Sequence, residues 1–203
     1  MSFKKGCWCA LFIGLPITTW ADVFNAQLVN AALERTEHTV IYNGKYVAID
    51  YPNGDVPAYM GVCTDVVIRT YRALNIDLQR LVHEDMRTDF EQYPSKRIWG
   101  LSRPDKNIDH RRVPNLQTFF TRHGTALSKS HNPKNYLPGD IVTWMLPRNA
   151  PHIGIVTNKV SPKTGNPLIV HNIGFGPKLN DMLFDYVITG HYRYAPKSVI
   201  HVK

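Results

Sequence analysis

The chain has 203 residues, of which 43% are hydrophobic and 20% charged, with a formal net charge of +8 at pH 7. This composition is typical of a globular protein and excludes an intrinsically disordered chain. A chain of this length buries enough apolar surface to fold without metals or disulfides, so we expect neither a cofactor nor a structural metal.

Residues 1–21 have the layout of a secretory signal peptide. Lys4 and Lys5 precede an apolar stretch over 6–17, and small residues at 19 and 21 suit cleavage after Ala21. We therefore predict a periplasmic or secreted protein with one domain over 22–203 and no transmembrane segment in the mature chain. The alternative is an uncleaved anchor, although the stretch is shorter than the ~20 residues that a spanning helix needs.

Export makes the cysteine count informative. Cys63 is the only cysteine outside the predicted signal peptide, so the mature chain has a free thiol that is either buried or used. The basic charge is compatible with an anionic envelope polymer, including peptidoglycan peptide, whereas we expect no nucleic acid as partner. A basic surface without a specific partner is the alternative. We predict a monomer.

Hydrophobic spacing predicts helices first and strands afterwards. The pattern favours helices over 22–35, 63–74, 81–93 and 115–123, a strand or hairpin over 39–51 that turns at 43–44, a loop over 51–57 and irregular chain over 94–114. Strands are predicted over 140–145, 152–157, 168–173 and 191–194. This order predicts an α+β fold with an antiparallel sheet.

Cys63 lies at the predicted start of the second helix. Unpaired N–H groups at a helix N-terminus favour a thiolate, so this position predicts a lowered thiol pKa and a nucleophilic cysteine. The alternative is a small buried apolar residue. The neighbouring Asp65 either caps the helix or helps to fix the site, and we favour capping.

A base and an orienting group are predicted on two successive strands. His152 shares one strand face with Gly154, whose missing side chain leaves room for another group. If Val156 pairs with Pro167, His152 lies directly opposite His171 and the two imidazoles are within reach. A register shifted by one residue brings Asn172 there instead, so both orienting residues remain open.

The order of these motifs resembles that of the NlpC-type, papain-like cysteine peptidases. The shared features are a cysteine at a helix start, Pro-Gly-Asp at 138–140, His-Ile-Gly-Ile at 152–155 and Ile-Val-His at 169–171. The longer strings at 61–67, 81–86, 107–115 and 190–194 resemble a narrower group, the exported bacterial YijF-type family, which is a domain of unknown function. One departure is Asp65, since the peptidases usually carry the acidic residue before the cysteine.

The resemblance implies a papain-like fold and an acyl-transfer reaction. Cys63 matches the nucleophile, His152 the base and His171 the third polar residue, which suggests an exported cysteine peptidase or amidase acting on wall peptides. Two alternatives remain: a non-catalytic envelope-binding module of the same fold, and a thiol acyltransferase.

A dense charged cluster precedes the last predicted helix. Asp109, His110 and Arg111, with Asp105 and Arg112 beside them, either form a carboxylate-binding wall of the substrate groove or anchor their loop through ion pairs and caps. We favour loop anchoring. Trp99, Trp144 and Phe175 either line a sugar-binding groove or belong to the core.

Overall fold

A computed structural model describes residues 19–196. The helices are α1 (Trp20–Glu34), α2 (Cys63–Ala73), α3 (Leu78–Thr88), α4 (Ser95–Trp99) and α5 (Val113–His123). The strands are β1 (Ile41–Tyr42), β2 (Met60–Gly61), β3 (Thr125–Ala126), β4 (Ile141–Leu146), β5 (Ala150–Val160), β6 (Pro167–His171), β7 (Lys178–Asn180) and β8 (Val187–Arg193). Within this part of the chain, no helix combines the length and apolarity needed to cross a bilayer.

The main sheet is antiparallel, with the strand order β3-β8-β4-β5-β6-β7. Its alternating residues separate two apolar cores. Ile153 and Ile155 of β5 pack with α1, α2 and α5 on one face, whereas Val156 packs with Trp144 on the other. The predicted α+β class and antiparallel sheet are therefore confirmed.

The α2 helix forms as its spacing predicts. Val67 and Tyr71 are fully buried against the sheet, and polar residues occupy the opposite face. The α1 helix begins at Trp20, where the hydroxyl of Thr19 accepts a hydrogen bond from the backbone N–H of Asp22. The predicted cleavage point after Ala21 thus lies in the first turn of α1. Residues 1–18, which carry the rest of the predicted signal peptide, lie outside the described residues.

Three local predictions are corrected by the structure. Of the two forms predicted for 39–51, the short strand is present as β1, whereas the hairpin is absent because β1 pairs in parallel with the distant β2, and the Asn43 side chain instead accepts the N–H of Lys45. The irregular chain predicted over 94–114 contains the short helix α4. The third helix begins at Leu78 and ends at Thr88, earlier at both ends than predicted. Asp77 caps it by accepting the N–H of Arg80.

Candidate active site around Cys63

The N-terminus of α2 places Cys63 against the sheet. Val62 is the N-cap residue, and its N–H donates to Oδ2 of Asp65 at 2.7 Å. The Asp65 carboxylate therefore accepts the backbone N–H of the N-cap residue, which is the contact that an acidic residue makes at the third helical position of a capping box and confirms the predicted capping role. Cys63 itself is 4% exposed and lies in the core between α2 and β5.

Asp65 has a second role that connects two distant segments. The Arg111 guanidinium donates from Nε to Oδ1 at 2.8 Å and from Nη2 to Oδ2 at 2.9 Å. Both side chains are almost fully buried, and this bidentate geometry is the favourable one for arginine and carboxylate. The hydroxyl of Thr64 also donates to the carbonyl of Arg111. Arg111 thus anchors its loop to the helix that carries Cys63.

Burial reverses the predicted shift of the Cys63 pKa. Burial raises the pKa of the Cys63 thiol to about 12, although hydrogen bonds from the backbone of Ile153, Thr64 and Cys63 itself favour the thiolate. The negative charge of Asp65 raises the pKa further. The prediction of a lowered pKa is therefore wrong, because desolvation outweighs the N–H groups of the helix end. The resting thiol is protonated at neutral pH.

Two histidines and an asparagine form a hydrogen-bonded chain on the other face of the sheet. Nε2 of His152 lies 3.0 Å from Nδ1 of His171, and Nε2 of His171 lies 3.1 Å from Oδ1 of Asn180. Both imidazoles are almost fully buried. The predicted contact between His152 and His171 is confirmed, and the structure chooses His171 over Asn172.

The register behind that contact is different from the predicted one. Gly154, not His152, pairs with His171, and Val156 pairs with Ile169. The offset is two residues, so His152 and His171 keep the same face and meet diagonally. An added Cβ at Gly154 would lie 3.1 Å from the Cβ of His171. The missing side chain of Gly154 therefore leaves room beside the second histidine.

Asn180, the acceptor at the end of this series of hydrogen bonds, determines which ring nitrogen of each histidine carries the proton. The carbonyl oxygen of Asn180 accepts from Nε2–H of His171, which leaves Nδ1 of His171 to accept from Nε2–H of His152. Nδ1 of His152 then carries a lone pair. Burial lowers the pKa of His152 to about 3, with a contribution from His171, and burial lowers the pKa of His171 as well. Both rings are neutral at pH 7.

Cys63 and His152 reach β5 at adjacent residues but from different faces. The thiol contacts the backbone of Ile153, whereas the His152 ring lies on the face of Trp144, 5.9 Å between ring centroids. Neither side chain has the other among its hydrogen-bond partners. The structure therefore brings Cys63 and His152 to neighbouring residues of β5, but it does not join them in an ion pair.

The charged cluster at 105–112 anchors its loop. Asp109 accepts the N–H of Asp105 and pairs with Arg112 at 3.0 Å. His110 is buried, and burial lowers its pKa to about 3, with a further contribution from Arg111.

Trp144 is fully buried in the core, so Trp99, Trp144 and Phe175 do not form a common exposed groove. No group of three or more metal-ligating side chains occurs within residues 19–196.

Comparison with known proteins identifies the family. The sequence profile of the domain of unknown function DUF1287 matches residues 29–194. The chain belongs to this family. It is 49% identical over 173 residues to the uncharacterized protein YijF of Escherichia coli (strain K12), which covers 85% of this chain and 83% of that protein. The resemblance to the YijF-type family is confirmed.

Two residues of this DUF1287 site were missed by sequence reasoning. Asn180 lies on the three-residue strand β7, whose only sequence signal is the preceding Gly-Phe-Gly turn at 174–176. Tyr42 lies on the two-residue β1, close enough to Cys63 for the thiol to affect its pKa. Burial and the neighbouring Cys63 raise the pKa of Tyr42 to about 12. Such short strands carry too few residues for periodicity to reveal them.

Proposed function

We propose that this protein is an exported cysteine hydrolase that cleaves amide bonds in cell-wall peptides. Cys63 is the nucleophile, His152 the base, and His171 the residue that orients His152. The observation that supports this proposal most strongly is the chain from Asn180 through His171 to His152. It leaves a lone pair on Nδ1 of His152, the residue next to Ile153, whose backbone the Cys63 thiol contacts from the other face of the strand. The papain-like and NlpC-like character of the fold belongs to the same proposal.

The reaction begins from neutral groups. Cys63 and His152 lie on opposite faces of β5 at rest, so substrate binding must first bring the His152 ring within reach of the thiol. The Cys63 proton then passes to Nδ1 of His152 as the sulfur attacks the substrate carbonyl, because neither group is charged at rest. The backbone N–H of Cys63 donates to the oxyanion. His152 then protonates the leaving amine, and water hydrolyses the thioester, which regenerates the thiol. Since Cys63 is 4% exposed, a substrate must first displace the side chains that cover it.

Stem peptides released from peptidoglycan are the substrate for the decisive experiment. We expect the purified protein to convert a peptide into two fragments whose combined mass exceeds that of the substrate by one water. Cys63→Ala should abolish the reaction, with an unchanged circular dichroism spectrum. Asp185→Asn provides a folded control away from the site, since Asp185 lies in the turn before β8.

Other results identify the alternatives. Cleavage that persists in Cys63→Ala contradicts a cysteine mechanism. Binding of the peptides without cleavage, unchanged in Cys63→Ala, identifies an envelope-binding module. A product in which an added amine replaces water identifies a thiol acyltransferase, which uses the same residues with a different acceptor.

A further inference from the structure

A second site lies along the face of α2 that turns away from Cys63. It is a cavity of about 350 Å³, bounded by the chain after α1, the loop before α2, and the loop after β6. Its walls are apolar in part, with Val40, Val62, Val66 and Ala73. Its polar lining residues are Arg35, His38, Asp55, Asp65, Arg69, Arg72 and Asn172.

The carboxylates of this cavity are already paired. Asp65 is bound by Arg111 and by the N–H of Val62. Asp55 is shared between Arg69, at 2.9 Å, and Arg72, at 2.7 Å. Arg35 pairs with Glu34 at 2.7 Å. The three arginines that line the cavity still outnumber its two carboxylates, so the lining favours an anion.

Several hydrogen-bond donors of the cavity have no acceptor. Among residues 19–196, the buried side-chain nitrogens without a hydrogen-bond partner include Nε of Arg35, Nε of Arg72 and Nδ2 of Asn172. Asn172 is fully buried, and its Oδ1 is used by the N–H of Gly174. Buried donors are paired in most native structures, because an unpaired one forfeits its hydration without compensation. The three nitrogens are buried and belong to residues that line one cavity, so a ligand in the cavity reaches them by displacing the side chains that cover them.

We propose that this cavity binds a small organic carboxylate with a short aliphatic body. A carboxylate has two oxygens with four acceptor sites and accepts hydrogen bonds both from guanidinium N–H groups and from side-chain amides, the two kinds of donor that lack a partner here. The valine and alanine side chains of the wall take the aliphatic part, and the volume suits a ligand of a few heavy atoms. The ligand is either a free small acid or the carboxyl end of a peptide.

This site does not depend on the hydrolase proposal. Asp65, Arg69 and Arg72 lie along one side of α2, whereas Cys63 packs on the sheet. Binding is therefore expected to persist in Cys63→Ser. A protein that binds the carboxylate but cleaves nothing would refute the hydrolase alone, and a protein that cleaves peptides without binding it would refute this site alone.

The unpaired donors can be observed directly by NMR. The Nε–H signals of Arg35 and Arg72 and the side-chain amide of Asn172 appear in a ¹H–¹⁵N correlation spectrum of the purified protein. We expect all three to shift and saturate with N-acetyl-alanine, whereas the neutral N-acetyl-alaninamide should leave them unmoved. N-acetyl-Ala-Ala is the third probe. If the protein binds it at least as tightly as N-acetyl-alanine, the natural ligand is the carboxyl end of a peptide, and if the protein binds it more weakly, the ligand is a free small acid.

A matched pair of variants tests the role of the arginines. Arg35→Met keeps the aliphatic stem and removes the guanidinium, so binding should weaken about tenfold or more. Arg97→Met removes the same charge from an exposed position on α4 and should leave the affinity unchanged. The proposal is overturned if N-acetyl-alanine does not saturate the three signals, if the amide shifts them equally, if both variants weaken binding equally, or if inorganic phosphate binds and the carboxylate does not.

Discussion

His152 and His171 are hydrogen-bonded at 3.0 Å although they are not partners in the ladder between β5 and β6. The ladder pairs His171 with Gly154, which has no side chain to separate the two rings. The ring planes are nearly perpendicular, at 89°, so one ring presents its edge to the other. This arrangement fixes the orientation of His152 through His171 and Asn180.

The hydrogen-bonded chain predicts the tautomers of both histidines. We expect His152 and His171 each to carry its proton on Nε2 at pH 7, because Asn180 accepts from His171 and His171 from His152. Long-range ¹H–¹⁵N spectra distinguish this tautomer from the Nδ1–H form. Asn180→Leu should disturb the pattern, since the terminal acceptor is lost. A proton on Nδ1 of His152 would contradict the proposed base.

The buried thiol predicts slow alkylation in the folded state. Burial raises the pKa of Cys63 from 9.0 to about 12, so the thiolate fraction at pH 8 should fall by about a thousandfold relative to an ordinary thiol. Iodoacetamide labelling followed by mass spectrometry measures the rate, and the same protein in guanidinium chloride is the control. His152→Ala should leave the folded-state rate nearly unchanged, because the resting pair is neutral. Rapid labelling of the native protein below pH 8 would refute this description.

The ion pair between Asp65 and Arg111 predicts a large stability effect. Arg111→Met leaves the buried Asp65 carboxylate without its counter-charge, and we expect a loss of about 3–5 kcal/mol in the free energy of unfolding. The double variant Asp65→Asn with Arg111→Met should lose less, since no charge remains buried. Urea denaturation measures all three proteins.

An exposed ion pair serves as the comparison for this effect. Lys96 and Glu91 are paired at 3.1 Å on the surface, and Lys96→Met should cost less than about 1 kcal/mol. Similar losses for Lys96→Met and Arg111→Met would show that burial of the Asp65 pair has no special effect on stability.

The lowered pKa of Asp85 makes part of the free energy of unfolding depend on pH. Burial raises its pKa, but hydrogen bonds from Arg122, Tyr93 and His123 outweigh burial and lower the pKa from 3.8 to about 2. A lowered folded-state pKa stabilises the protein above pH 4, and this contribution is lost as the pH falls towards 2. Asp85→Asn should therefore reduce the free energy of unfolding by about 2 kcal/mol at pH 7. The difference from the unmodified protein should shrink between pH 4 and 2, and curves that stay parallel would contradict the assignment.

The periodic spacing of apolar residues determined the features that depend only on residues close in the sequence, namely where a helix begins and which face of a strand a side chain occupies. The 3.6-residue spacing of Val67 and Tyr71 placed Cys63 at a helix start, and the two-residue strand period placed His152 and His171 on one face. A shift of two residues in the pairing of β5 with β6 leaves every side chain on the same face of the sheet. The contact between the two histidines could therefore be predicted although the pairing itself could not. The register itself depends on an irregularity between Val156 and Val160 that leaves no signature in the sequence.

Only the tertiary structure decided the electrostatics of the site. The sign of the Cys63 pKa shift follows from its burial between α2 and β5, because desolvation depends on side chains that are distant in the chain. The partner of Asp65 is Arg111, which lies 46 residues away. The donors of the cavity likewise come from Arg35, Arg72 and Asn172. Sequence patterns report local geometry, whereas charge and solvation are set by which segments the fold brings together.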